Sequence, residues 1–115
     1  MTTYSRSPPV DTGVYDLIEC TDYMPTYVDI VRALRTSWET VALHLSRTYP
    51  DRFRWNPDDT QQIKDNNLTV PEQADAFMKT CRQRCLSFDM FMWAMLQAKN
   101  LEIVQRFAPH LLAKM

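Results

Sequence analysis

A single glycine, Gly13, serves the whole 115-residue chain. Glycine is what a backbone ordinarily uses for positive φ. A chain with none after position 13 therefore has no Gly-rich loop to cradle a phosphate and none of the common two-residue hairpin turns. The chain is expected to be all-α, with proline, asparagine, serine and threonine left to manage the helix junctions, and the scarcity argues against nucleotide-dependent enzymes. With 45% apolar and 23% charged residues, there is enough hydrophobic surface to offset chain entropy, and 115 residues hold one core rather than two. Cys20, Cys81 and Cys85 cannot all pair within one chain, and their spacing matches no Cys/His metal-ligand set, so they read as reduced thiols. The N-terminus lacks an apolar leader segment and no stretch reaches the length of a membrane span, so a soluble, cytoplasmic protein is expected.

Residues 1–24, with Ser7-Pro8-Pro9 and Thr12-Gly13, read as a mostly irregular arm whose second half (Val14, Tyr15, Leu17, Ile18) packs on the domain. The domain itself is expected over 25–115. Pro25 suits a first helical turn, and Tyr27, Ile30, Val31 and Leu34 line one face of a helix over 25–36. Ser37 is placed as the N-cap of a second helix, with Trp38, Val41, Ala42 and Leu45 on its inner face. The segment from Tyr49 to Trp55 has no period and reads as a loop with aromatic anchors. Asn56-Pro57 starts a short third helix over 57–65, its first turn carrying Asp58 and Asp59 toward the dipole. Thr69 and Glu72 match the capping box, opening a fourth helix with Ala74, Phe77, Met78 and Cys81 inward. Ser87 caps a fifth helix that is apolar nearly all round, which belongs inside a bundle. Asn100 precedes a sixth helix with Leu101, Val104 and Phe107 inward, and Pro109 stops or kinks it before a short tail.

The order of residues in these helices resembles the death domain. Ser37-Trp38-Glu39-Thr40-Val41-Ala42-Leu43-His44-Leu45 is similar to the second-helix pattern of that family, a tryptophan before aliphatic pairs. Thr60 to Asn67, with Ile63 before polar residues, resembles the third helix. Pro71-Glu72-Gln73-Ala74 with Phe77-Met78 resembles the fourth, and Ser87 to Met95 and Glu102 to Phe107 the fifth and sixth. The likeness spans residues 25–108. The chain departs from it in a longer loop, Thr48 to Trp55, and in Cys81, which stands where a tryptophan is common. The resemblance implies a six-helix antiparallel bundle of the death fold, an adaptor-type role in apoptosis or innate immunity, and binding to other death-domain proteins (adaptor, receptor or kinase) as well as self-association.

Charge divides sharply along the chain: −3 over residues 1–24, +2 over 25–55, −4 over 56–75 and +4 over 76–115, for a net −1. From charge alone a solvated surface is the simpler reading. The resemblance turns the same segregation into an interface, because the family associates through asymmetric charged surfaces. The interface residues are then Arg32, Arg35, Asp58, Asp59, Lys64, Asp65, Glu72, Arg82, Arg84 and Arg106, with Lys79 and Lys99 extending a basic face from the fourth helix to the sixth. No cofactor or metal site is expected. A nucleophile built from Cys81 or Cys85 with His44 or His110 has no supporting spacing, and Cys81 continues a core stripe. An alternative use, nucleic-acid binding by Arg52, Arg54, Arg82 and Arg84 around exposed Phe53 and Trp55, fits poorly with neutral net charge and an acidic third helix.

Overall fold

The structure, a computed structural model, describes Pro9 and residues 25–51, 53–84 and 86–112, with backbone alone for residues 25–27. The expected packing of Val14 to Ile18, the inward Tyr27, and the placements of Arg52, Cys20 and Cys85 lie outside these residues. The described chain is helical throughout, without strands: α1 (Pro25–Leu34), a 3-10 turn (Arg35–Ser37), α2 (Trp38–Thr48), α3 (Pro57–Asn66), α4 (Val70–Gln83), α5 (Phe88–Gln97), α6 (Leu101–Phe107) and α7 (Pro109–Leu112). The six expected helices are present among the described residues, α1 to α6. The seventh is a single turn that replaces the expected irregular tail: Pro109 starts it, as proline readily does, and Leu111 is buried.

Helix α5 organises the packing. Met90 through Leu96 are all buried, so no side of the helix can face water, and α2, α6 and α7 close around it. Helix α1 packs on α4 and α6, and α3 rests on α4. At the centre Phe77 of α4 meets Trp38 of α2 at 5.8 Å and Phe91 of α5 at 6.3 Å between ring centroids. The sequence-designated inner faces are the buried ones for α2 and α4. In α6 the buried residues are Ile103 and Val104, while Leu101 is half exposed and Phe107 partly buried. Leu101 is the first residue of a seven-residue helix whose face turns one position away from the expected one. Among the described residues no helix is long and apolar enough to cross a membrane.

The expected capping box at Thr69 is present, and Asn56, expected as an N-cap, opens a second one with Asp59. Thr69 Oγ1 accepts from the Glu72 N–H while Glu72 returns to the Thr69 N–H at 3.1 Å, and Asn56 N–H donates to Asp59 at 2.9 Å. The Ser87 hydroxyl accepts from Met90 N–H at 3.2 Å.

The α1–α2 junction departs from expectation. Ser37 makes no N-cap, because its backbone is already helical. Its hydroxyl instead donates back to the Leu34 carbonyl and accepts from the Asn100 amide at 3.2 Å. The chain turns here through Arg35, at φ 45°. A second left-handed residue, Lys99 at φ 69°, ends α5: Lys99 N–H reaches the Leu96 carbonyl and Asn100 N–H the Met95 carbonyl, each at 3.0 Å, the paired bonds of a helix C-terminus that usually carries glycine. Two junctions therefore need positive φ and make it from side-chain-bearing residues, contrary to the expectation that Pro, Asn, Ser and Thr suffice. A Cβ in this region costs about 1–2 kcal/mol. Lys99→Gly should accordingly stabilise the fold by about 1 kcal/mol and Lys99→Val should destabilise it, as read from urea unfolding midpoints; equal midpoints for the two variants would contradict the assignment.

Candidate functional site

The segment between α2 and α3 is the first place where the charged residues and the core meet. Phe53 is fully buried and Trp55 only 9% exposed, stacked on each other with centroids 5.7 Å apart and planes 3° from parallel. Trp55 meets Phe77 edge-on at 5.4 Å and donates its indole N–H to the Thr60 hydroxyl at 2.8 Å. The rings are anchors, as the loop reading expects; only the nucleic-acid alternative needs them exposed. They are inside because the aromatic cluster around Phe77 needs a cover that α2 and α5 do not supply, and burying a ring pair of this size is worth several kcal/mol. The stacking surface that nucleic-acid binding would require is thus part of the core.

Arg84 holds this cover in place. Its guanidinium lies 5.0 Å from the Phe53 ring centroid and 5.2 Å from that of Trp55, donates to the Arg54 carbonyl, and stands 3.7 Å from an Asp59 carboxylate oxygen. One expected basic interface residue and one expected acidic one are therefore committed to each other inside a single molecule. Both are only partly exposed.

The remaining sites fall on two separate surfaces. The outer edge of α3 exposes Asp58 and Asp65; among the described residues Asp65 accepts only from the neutral Gln61 amide, at 2.8 Å. Lys64 on the same helix is spent on Glu39 of α2 at 3.2 Å, and Glu72 on its capping box, though both remain exposed. Immediately after α3, Leu68 projects into solvent with 91% of its surface exposed.

The second surface is a cleft of about 610 Å³ between α1, the 3-10 turn and the start of α6. Arg32, Arg35, Lys99 and Arg106 line it, against Asp29 and Glu102. Arg106 is paired with Asp29 at 2.9 Å; Arg32, Arg35 and Lys99 have no ion pair among the described residues. The expected basic face running from α4 to α6 is thus divided. Arg84 turns to the α2–α3 segment, Lys79 pairs with Asp75 at 3.0 Å, Arg82 is partly buried on α4, and Lys99 and Arg106 join the two arginines of α1 and its turn. Arg32 and Arg35 are candidates from the sequence, but nothing local to them places Lys99 and Arg106 in the same cleft, because that proximity is made by α1–α6 packing.

The described residues of the nucleophile reading, Cys81, His44 and His110, lie on three different helices. Cys81 is fully buried on α4, and burial pushes its thiol far above the ordinary range, with the Arg84 charge acting weakly the other way, so it remains protonated. His44 on α2 has its imidazole held below the usual value by burial and then by Arg47. His110 sits 2.9 Å from Asp89, joining α7 to α5. No protein-family model, curated protein or solved structure matches the chain.

Replacing Arg84 tests the internal role assigned to it. Arg84→Met removes the ring-face cation and the bond to the Arg54 carbonyl while keeping an aliphatic stem. It should cost about 1–3 kcal/mol in urea unfolding, whereas Arg54→Ala, an exposed side chain, should stay within about 0.5 kcal/mol. Equal effects would show that Arg84 is a surface charge.

Proposed function

We propose that this chain is a non-enzymatic interaction module of the death-domain type, binding other death-domain proteins to assemble an apoptotic or innate-immune signalling complex. The observation that carries the reading is the segregation of unsatisfied charge. Among the described residues, acidic side chains without cationic partners lie on the outer edge of α3, and cations without anionic partners gather in the α1–α6 cleft. A surface that merely keeps a domain soluble gains nothing from such separation, whereas a binding surface gains orientation and association rate from it. The order of residues along the six helices adds the class of partner.

The acidic edge is the half of the module assigned to those partners. Asp58 and Asp65 are the residues to change, because Asp59 and Glu72 close capping boxes and their replacement would disturb the fold. The double variant Asp58→Lys, Asp65→Lys should keep its helical circular dichroism and lose at least about tenfold in capture of death-domain proteins from cell extract, identified by mass spectrometry. Undiminished capture of the same proteins would contradict the reading.

A further inference from the structure

Four basic side chains line the cleft between α1, the 3-10 turn and α6, and two of them stand on backbone that residues with a Cβ seldom adopt. Arg35, at φ 45°, belongs to the turn, and Lys99, at φ 69°, follows α5. Strain of this kind persists where the surrounding structure imposes it, and it collects at sites that clamp a ligand. The walls are tied together beside both residues. Asn100, next to Lys99, donates its amide to the Ser37 hydroxyl at 3.2 Å and its backbone N–H to the Met95 carbonyl at 3.0 Å. Ser37, two positions after Arg35, donates in turn to the Leu34 carbonyl. The cations are thus mounted on a fixed frame before anything binds, which lowers the ordering cost of binding.

We infer that this cleft is a binding site for a compact polyphosphorylated group, carried either on a soluble molecule or on a lipid headgroup. The inference goes beyond the interaction-module reading and does not depend on it. Arg32, Arg35, Lys99 and Arg106 line the cleft against Asp29 and Glu102, four basic to two acidic side chains. Asp29 is consumed by Arg106 at 2.9 Å, while Arg32, Arg35 and Lys99 have no ion pair among the described residues. Guanidinium forks match phosphate oxygens two at a time, and an ammonium adds a point charge. Three unpaired cations exceed what one phosphate neutralises, so a ligand with several phosphates is the better match. The cleft volume, about 610 Å³, lies within the roughly 300–1,000 Å³ of small-molecule sites. A duplex would instead need cations in a row along one face, and the basic residues of α4 are turned elsewhere, Lys79 to Asp75 and Arg84 to Phe53 and Trp55. Glu102 opposes an anion in the same space and has no cationic partner among the described residues. Removing its charge should therefore strengthen binding.

Isothermal titration calorimetry with inositol hexakisphosphate and with inorganic phosphate tests the site, at physiological salt, where charges on the rest of the surface are screened. The wild type should bind the hexakisphosphate at least about tenfold more tightly than inorganic phosphate. Arg35→Gly combined with Lys99→Gly removes two cations while giving both left-handed positions the residue that suits them. This variant should unfold at no lower urea concentration than wild type, yet bind the hexakisphosphate at least about tenfold more weakly. Glu102→Gln should bind about threefold more tightly, and Arg54→Gln, an exposed cation away from the cleft, should change affinity by less than about twofold. Phosphatidylcholine vesicles with and without phosphatidylinositol bisphosphate separate the two carriers. Sedimentation of the protein with the bisphosphate vesicles, reversed by excess hexakisphosphate, supports the site and assigns the headgroup; calorimetric binding without sedimentation supports it and assigns the soluble carrier. Failure of the wild type to bind the hexakisphosphate, wild-type affinity in the double glycine variant, or an equal loss in Arg54→Gln would overturn the inference and leave the interaction-module reading untouched.

Discussion

Seven of the ten residues of α5 are buried, and the polar Asp89 lies in its first turn. A helix with no wet face must be enclosed, and the rest of the molecule is arranged by that demand. The amphipathic helices α2, α4 and α6 each contribute one apolar stripe. The single-turn α7 adds Leu111, and the α2–α3 segment contributes Phe53 and Trp55, whose cover is locked by Arg84. Even Pro9 is buried and accepts a hydrogen bond from the Tyr49 hydroxyl at 2.7 Å, so part of the arm contributes to the enclosure beside that segment. With the interior filled by apolar and aromatic groups, nearly every charge is left on the surface, where its distribution is free to serve something other than stability.

The helices themselves were legible in the sequence. Periodicity located α1 to α6 to within a few residues, and the Asn56-Pro57 and Thr69–Glu72 signals marked helix starts because those caps depend on neighbours in sequence. What escaped notice depended on distant parts of the chain. Phe53 and Trp55 read as aromatic anchors of a segment without period, but nothing local revealed that Phe77 and Arg84 would enclose them. Ser37 looked like an N-cap because serine commonly is one, yet the turn was made by Arg35 in a conformation that sequence offers no reason to expect of arginine. Lys99 escaped for the same reason. A chain with one glycine has few easy left-handed positions, yet two are made among the described residues, at Arg35 and Lys99.

The candidate site follows the same division. The acidic character of α3 is a property of one helix and was plain from composition. The cleft is not, since Arg32 and Arg35 are separated by more than sixty positions from Lys99 and Arg106 and are brought together only by the packing of α1 on α6. The structure also removed two residues from the proposed interface by joining Asp59 to Arg84, which explains how a chain can carry well-separated charge along its sequence and still use part of it internally. Among the described residues, the unpaired charges that gather in groups are the acidic edge of α3 and the basic cleft.

The most direct test of their use in binding is a titration of isotope-labelled protein with a death-domain partner captured from extract, followed through backbone amide shifts in NMR spectra. The account predicts that the amides that shift include those around Asp58 and Asp65 on the outer edge of α3. Shifts confined to faces away from that edge and from the α1–α6 cleft would contradict it.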